Sequence, residues 1–172
     1  MTLPVGASQP YQGLNGRKID PFASPAAARV FVFVRTDCPL TNRYAPELNR
    51  IVQHFSSSSV VFWLVYPGAR ENEEDIKAQV RDFRLPGVPL RDPQQELVKR
   101  ARATTAPEAA VFDAQNRLRY HGRIDDRWVA FGKSRPEAQK HDLEDAIAAL
   151  LHGKPIAEAE THAIGCSLAD LQ

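Results

Sequence analysis

Cysteine is scarce in this chain, with two, Cys38 and Cys166, among 172 residues. Two thiols so far apart cannot make the disulfide framework of a mini-protein or a four-ligand zinc site, so any sulfur chemistry rests on one or both of them. Long apolar runs are missing too. The longest, Val60 to Tyr66, falls well short of the roughly 20 residues that cross a bilayer as a helix, and no membrane span is expected. Net charge is almost absent: 22 Lys and Arg against 21 Asp and Glu leave +1. No field of one sign draws the chain to nucleic acid or anionic lipid, and neither is expected as a partner. Met1 to Pro10 lacks the basic start and apolar stretch of a secretory leader. As written the chain reads as cytoplasmic; had a leader been removed and Met1 supplied for translation, a periplasmic protein would look the same.

What is present matches a globular domain: 43% hydrophobic and 25% charged residues. The length suits one domain, 1–152, followed by a tail, 153–172, that carries Cys166. Ala28 to Arg35 holds the unbroken β-branched and aromatic run Val30 to Val34, as in a central strand covered on both faces. After Thr36-Asp37-Cys38-Pro39, the residues Tyr44, Leu48, Ile51, Val52 and Phe55 recur near helical spacing, which predicts a helix from about Pro39 to Phe55. Proline suits its first turn, where no intrahelical amide is needed. Val60 to Tyr66 is a second buried strand, and Glu71 to Phe83 a second helix with an acidic first turn. Leu85 to Leu90 is extended and Gln94 to Ala101 a short helix. Ala109 to Phe112 and Leu118 to Gly122 form a hairpin across Asp113 to Asn116. Pro136 to Leu151 is the last helix, and Lys154 to Gln172 the tail. This order predicts an α/β layered sheet, the first two long strands parallel and the hairpin antiparallel.

Sites in such sheets lie beyond the carboxyl ends of the strands, where Cys38 falls. A thiol at a helix N-terminus meets unpaired backbone donors and the positive end of the helix dipole, both of which favour thiolate. Cys38 is therefore the candidate nucleophile, although buried cysteine often only fills space. Arg35 or Arg43 could add positive charge beside it. Cys166 follows small residues, Ala163-Ile164-Gly165, and an arm there could carry it to an oxidised Cys38; a lone exposed thiol is the other reading. His121 and His162, with the thiols, leave copper or zinc binding open. Asp125 and Asp126 make no paired-carboxylate site and are expected as turn or surface residues.

From about Pro4 to Leu151 the chain resembles the redoxin branch of the thioredoxin superfamily, in the alkyl-hydroperoxide-reductase-like and thiol-disulfide-oxidoreductase-like groups. The strand Val30 to Val34 running into Thr36-Asp37-Cys38-Pro39 is similar to that family's approach to its active cysteine, as is the helix start Tyr44-Ala45-Pro46-Glu47-Leu48. Val88 to Pro93 resembles the stretch before the family's third helix. Thr105-Ala106-Pro107 before Ala110-Val111-Phe112-Asp113 resembles its cis-proline loop, which implies a cis Ala106-Pro107 bond. A subgroup labelled thiol-disulfide isomerase is similar in Thr36 to Pro39, Asn42 to Glu47, Gly122 to Asp126 and Gly165-Cys166.

The departures are equally definite. Thr41 stands where a Cys-x-x-Cys motif would have its second cysteine. A typical peroxiredoxin has threonine and proline where this chain has Arg35 and Phe31. The resemblance implies a thioredoxin-like fold, with a central mixed sheet flanked by helices. It implies a thiol-dependent oxidoreductase acting by disulfide exchange or peroxiredoxin-like peroxide reduction. Cys38 is then the nucleophile, Cys166 the resolving thiol within one chain or across a homodimer, and Pro107 the loop proline. Thr36, Pro39, Thr41, Arg43 and Thr105 are the supporting residues. No cofactor is expected; the partners are a protein or small-molecule thiol reductant and a disulfide or peroxide substrate. The alternative is a metal-binding or interaction module on the same fold.

Overall fold

A computed structural model describes residues 11–171. Met1 to Pro10, read above as lacking a leader, lie outside the described residues. In chain order the elements are β1 (Tyr11–Gly13), β2 (Lys18–Ile19), β3 (Ala28–Phe33), α1 (Pro39–His54), β4 (Val60–Tyr66), α2 (Glu73–Phe83) and β5 (Val88–Arg91). They continue with α3 (Glu96–Ala101), β6 (Thr105–Ala106), β7 (Glu108–Asp113), β8 (Leu118–Gly122), β9 (Trp128–Ala130), β10 (Lys133–Ser134), α4 (Asp142–Leu151) and β11 (Cys166–Ser167).

Seven strands make one mixed sheet in the order β2-β1-β5-β4-β3-β7-β8. The run of buried β-branched and aromatic residues places β3 in the interior of the sheet, parallel to β4 and antiparallel to β7. β4 continues parallel to β5, and β7 turns into β8 as an antiparallel hairpin. Alternation along β3 divides the core. Val30 and Val32 face a layer formed by Leu48 and Ile51 of α1, Ile76 of α2 and Leu143 and Ile147 of α4. Phe31 and Phe33 face the opposite layer, which holds Phe22, Leu97 and Val98 of α3, Phe112 and, from the far end of the chain, Leu168. Among the described residues no helix is long and apolar enough to cross a membrane.

Four features depart from the sequence expectation. α2 begins at Glu73 because Asn72 caps it, accepting the Asp75 amide at 2.9 Å. α4 begins at Asp142 instead of Pro136: the Asp126 carboxylate takes the amides of Gln139 (2.6 Å) and Lys140 (3.0 Å), holding that stretch out of helix. Asp125 and Asp126, expected as turn or surface residues, lie at a bend before β9 and are both buried, Asp125 receiving the Tyr44 hydroxyl at 2.7 Å. The segment after Gly153 is not a loose arm in this state. It crosses the end of β8, where Thr161 lies so close to Gly122 (φ +145°) that a side chain there would collide, and it continues as β11, paired to β6, and a 3-10 turn over Ala169–Leu171.

Candidate active site

The site is built at the carboxyl end of β3. The chain leaves the strand through Val34 to Asp37 and enters α1 at Cys38, whose φ and ψ of −96° and 113° are those of an N-cap residue; Pro39 follows in the first helical turn. Three hydrogen bonds from outside the motif fix this turn. Glu71 accepts the Thr36 amide (2.7 Å) and hydroxyl (3.0 Å), and Gln79 donates to the Arg35 carbonyl at 3.0 Å. Gln79 in turn accepts the Tyr66 hydroxyl and donates to Asn42, tying the turn to β4 and α1. Burial pushes the Glu71 carboxyl above its ordinary range, against the Thr36 and Gly68 hydrogen bonds that favour its charge.

Facing Cys38 is the loop before β7, in which the Ala106-Pro107 bond is cis. The Cys38 sulfur lies 3.2 Å from the Ala106 carbonyl oxygen and is wholly buried. Glu108, also buried, shapes the loop by accepting the amides of Thr104 (2.9 Å) and Thr105 (3.1 Å). Cys38 and Cys166 form a disulfide within the chain, 128 residues apart in sequence, with Cα atoms separated by 6.1 Å. Cys166 arrives on β11, antiparallel to β6, opposite Ala106.

The other predicted site residues are distributed as follows. Thr105 pairs with Ser167 in the β6–β11 ladder. Arg35 joins Asp37 in an ion pair and donates to the Ser167 carbonyl at 2.6 Å, so it holds the tail as well as the turn. Arg43 points away from the sulfur to the Trp128 ring, 5.6 Å from its centroid. Thr41 is fully buried, and its hydroxyl has no partner among the described residues. A cleft of about 420 Å³ lined by Arg43, Arg127 and Trp128 lies farther along α1, and one of about 530 Å³ lined by Thr36, Gly68, Glu71 and Leu171 flanks the turn.

The histidines do not join the sulfurs. His121 sits against Glu108 at 3.4 Å and Glu160 at 3.6 Å, and His162 is exposed. Among the described residues the group of potential metal ligands within mutual reach is Glu47, His141 and Glu144, and Arg50 already pairs with both carboxylates. Glu71, Gln79, Gln95, Glu108 and Leu168 were not visible as site residues in the sequence. Only Glu108 left a signal, as an acid directly before the apolar run Ala109 to Phe112.

A parallel β3–β4 pair, an antiparallel β7–β8 hairpin and a helix-capping cysteine opposite a cis proline together settle the architecture. The chain has a thioredoxin-like fold. No protein-family model and no curated protein matches it. Among solved structures it is similar to a hypothetical protein from Sinorhizobium meliloti 1021, at 22% identity and a TM-score of 0.78 over 98% of this chain and 95% of that one. It is similar to an uncharacterized conserved protein from Geobacillus kaustophilus, at 25% identity and a TM-score of 0.75 over 97% and 92%. A secreted Mycobacterium tuberculosis disulfide oxidoreductase aligns at 16% identity with a TM-score of 0.58 over 85% and 96%. In this thioredoxin-fold protein the partner of the first cysteine comes from the far end of the chain, with Thr41 in the near position.

Proposed function

We propose that this protein is a thiol-disulfide oxidoreductase whose Cys38 and Cys166 cycle between dithiol and disulfide. The observation that carries the reading is the Cys38–Cys166 bond at the N-terminus of α1, against the cis Pro107 loop. The activity named for the Mycobacterium tuberculosis neighbour agrees with it. In the oxidised state Cys38 is buried and Cys166 partly exposed, so an incoming reductant thiolate reaches Cys166. A new sulfur–sulfur bond forms at Cys166, the Cys38–Cys166 bond breaks, and Cys38 leaves as thiolate. The positive end of α1 stabilises that leaving group. A second reductant thiol then frees Cys166, completing a two-electron reduction of the pair. In the other half of the cycle Cys38 thiolate attacks a substrate disulfide and expels one of its sulfurs. Cys166 resolves the mixed disulfide by attacking Cys38, and the second substrate thiolate departs. Thr36 and Pro39 hold the turn, Thr105 and Pro107 form the opposite wall, and Thr41 fills the near position without supplying a thiol.

Mass measurement with thiol blocking tests this. Reduced wild-type protein given a disulfide substrate should lose both free thiols, while Cys166→Ser should accumulate a mixed disulfide at Cys38 and turn over at least about tenfold more slowly. Retention of two titratable thiols in the wild type, or full turnover by Cys166→Ser, would refute the resolving role. Peroxide in place of the disulfide separates the two chemistries: a peroxidase would form a sulfenic acid at Cys38 in Cys166→Ser, and that acid would condense with Cys166 in the wild type, releasing water.

A further inference from the structure

The tail reaches Cys38 as a bound peptide would, and its contacts have the character of a binding site. β11 pairs antiparallel with β6, Cys166 opposite Ala106 and Ser167 opposite Thr105. Leu168 donates its amide to the Thr104 carbonyl at 3.0 Å. Its own carbonyl accepts from the Gln95 side chain at 3.1 Å, and the Ser167 carbonyl accepts from Arg35 at 2.6 Å. Gln95 is itself buried. All of these hold main-chain atoms and would hold any extended polypeptide.

Two positions select by side chain. A Cβ on Gly165 would lie 2.7 Å from the Ala106 carbonyl carbon and 2.8 Å from the Thr105 methyl, so nothing larger than glycine lets the strands approach. Two residues after the cysteine, on the same face of the strand, Leu168 is 2% exposed and enters the cluster of Leu97, Val98, Ala103 and Ala106. Ser167, between them, faces solvent. The site therefore reads Gly-Cys-x-Leu. The ladder itself is short, since β11 is two residues long.

We propose that residues 165–168 are a displaceable internal ligand, and that the groove beneath them is the substrate site for extended cysteine-bearing polypeptides. It takes a glycine before the reacting cysteine and an aliphatic side chain two residues after it. This rests on the thiol-disulfide exchange reading above and specifies its substrate. When reduced Cys38 attacks such a substrate's disulfide, the cysteine segment that stays bound takes the tail's place on β6, and the tail returns as Cys166 displaces it. Electrons and atoms balance as in ordinary exchange: one substrate disulfide becomes two thiols while Cys38 and Cys166 become a disulfide.

The experiment uses full-length Cys166→Ser/Leu168→Asp protein, in which the groove is vacated and Cys38 is the one thiol. It is equilibrated with mixed disulfides between glutathione and synthetic peptides, and the Cys38–peptide adduct is quantified by mass. Four peptides are compared: the 161–171 sequence, that sequence with Leu168→Asp, that sequence with Gly165→Val, and an unrelated sequence containing Gly-Cys-Ser-Leu. The first and fourth should form the adduct at least about tenfold more favourably than the other two, the scale expected for burying one leucine. Glutathione disulfide alone is the control. If Cys38 exchanges with it but all four peptides agree within about twofold, the groove is not selective and this proposal fails while the exchange reading stands. If Cys38 reacts with neither, both fail. The second arm needs no vacated groove: in otherwise wild-type protein, Leu168→Ala should shift the Cys38–Cys166 equilibrium with glutathione toward the dithiol by about tenfold. No shift there would overturn the anchoring role of Leu168.

Discussion

At the scale of single residues the site is governed by what surrounds two sulfur atoms. The end of α1 favours negative charge at Cys38, whereas complete burial and the Ala106 carbonyl 3.2 Å away favour a neutral or bonded sulfur. The disulfide satisfies the second environment; a displaced tail, which readmits water, favours the first. Thr41 is the other residue whose surroundings are unusual. Its hydroxyl is buried without a partner among the described residues, and such a group destabilises a fold by roughly 1–3 kcal/mol. Thr41→Val keeps the shape and removes the hydroxyl. It should raise stability by about 1 kcal/mol, a gain of about 2–4 °C in melting temperature, with exchange rates unchanged. A fall in exchange rate of more than about tenfold in a protein of equal or greater stability would give the hydroxyl a role at the sulfur.

Among the elements, α3 shows how one carboxylate can govern a short helix. Six residues are too few to be stable alone, and Asp92 supports the first turn by accepting the amides of Glu96 (2.9 Å) and Val98 (3.0 Å). Desolvation nonetheless outweighs those bonds and pushes the Asp92 carboxyl up from 3.8 to about 6. A folded-state value above the unfolded one means that the folded protein holds the extra proton between them. The stability this group adds is thus complete below about pH 4 and is lost as pH rises through about 6, by up to about 3 kcal/mol. Urea unfolding of wild type and Asp92→Asn across that interval checks the sign: the wild type should lose more stability than the variant as pH rises. An equal or opposite slope would show that the two amide bonds dominate. Because α3 supplies Leu97 and Val98 to the cluster around Leu168, its stability also bears on how firmly the tail is seated.

For the whole molecule, the Cys38–Cys166 bond closes nearly all of the chain after the first strand of the central pair. Chain-entropy arguments give such a loop about 5 kcal/mol of stabilisation in the oxidised form. Reduction should therefore lower the melting temperature by about 10–20 °C, and Cys166→Ser should melt like the reduced wild type. Calorimetry of the three forms decides it; identical melting of oxidised and reduced protein would mean that the docked tail and strain in the bond offset the entropy. The redox state is on this view also a stability state. A reductant that opens the pair is expected to loosen the tail and the domain together.

How much of this was legible in the residues follows from the range of the forces involved. Local pattern sufficed for β3, β4, α1 and the β7–β8 hairpin, because continuous β-branched runs, helical spacing and turn formers act over a few positions. The position of Cys38 was legible for the same reason: a cysteine followed by proline at a strand-to-helix turn is a local arrangement. The short strands β1, β2, β9 and β10 were not, since two or three residues become strands only when a partner presents its edge. Nor was the start of α4 at Asp142, because Asp126 competes for the amides of Gln139 and Lys140 from outside the segment. The sequence alone determined that one cysteine sits at a strand-to-helix turn of an α/β sheet and that a second one lies far down the chain. Only the tertiary structure decided that the two are bonded through a β ladder seated by Gly165 and Leu168, with Glu71 and Glu108 bracing the walls. Those contacts join residues 35 to 132 positions apart, or depend on which way a buried side chain faces, and both are settled by packing.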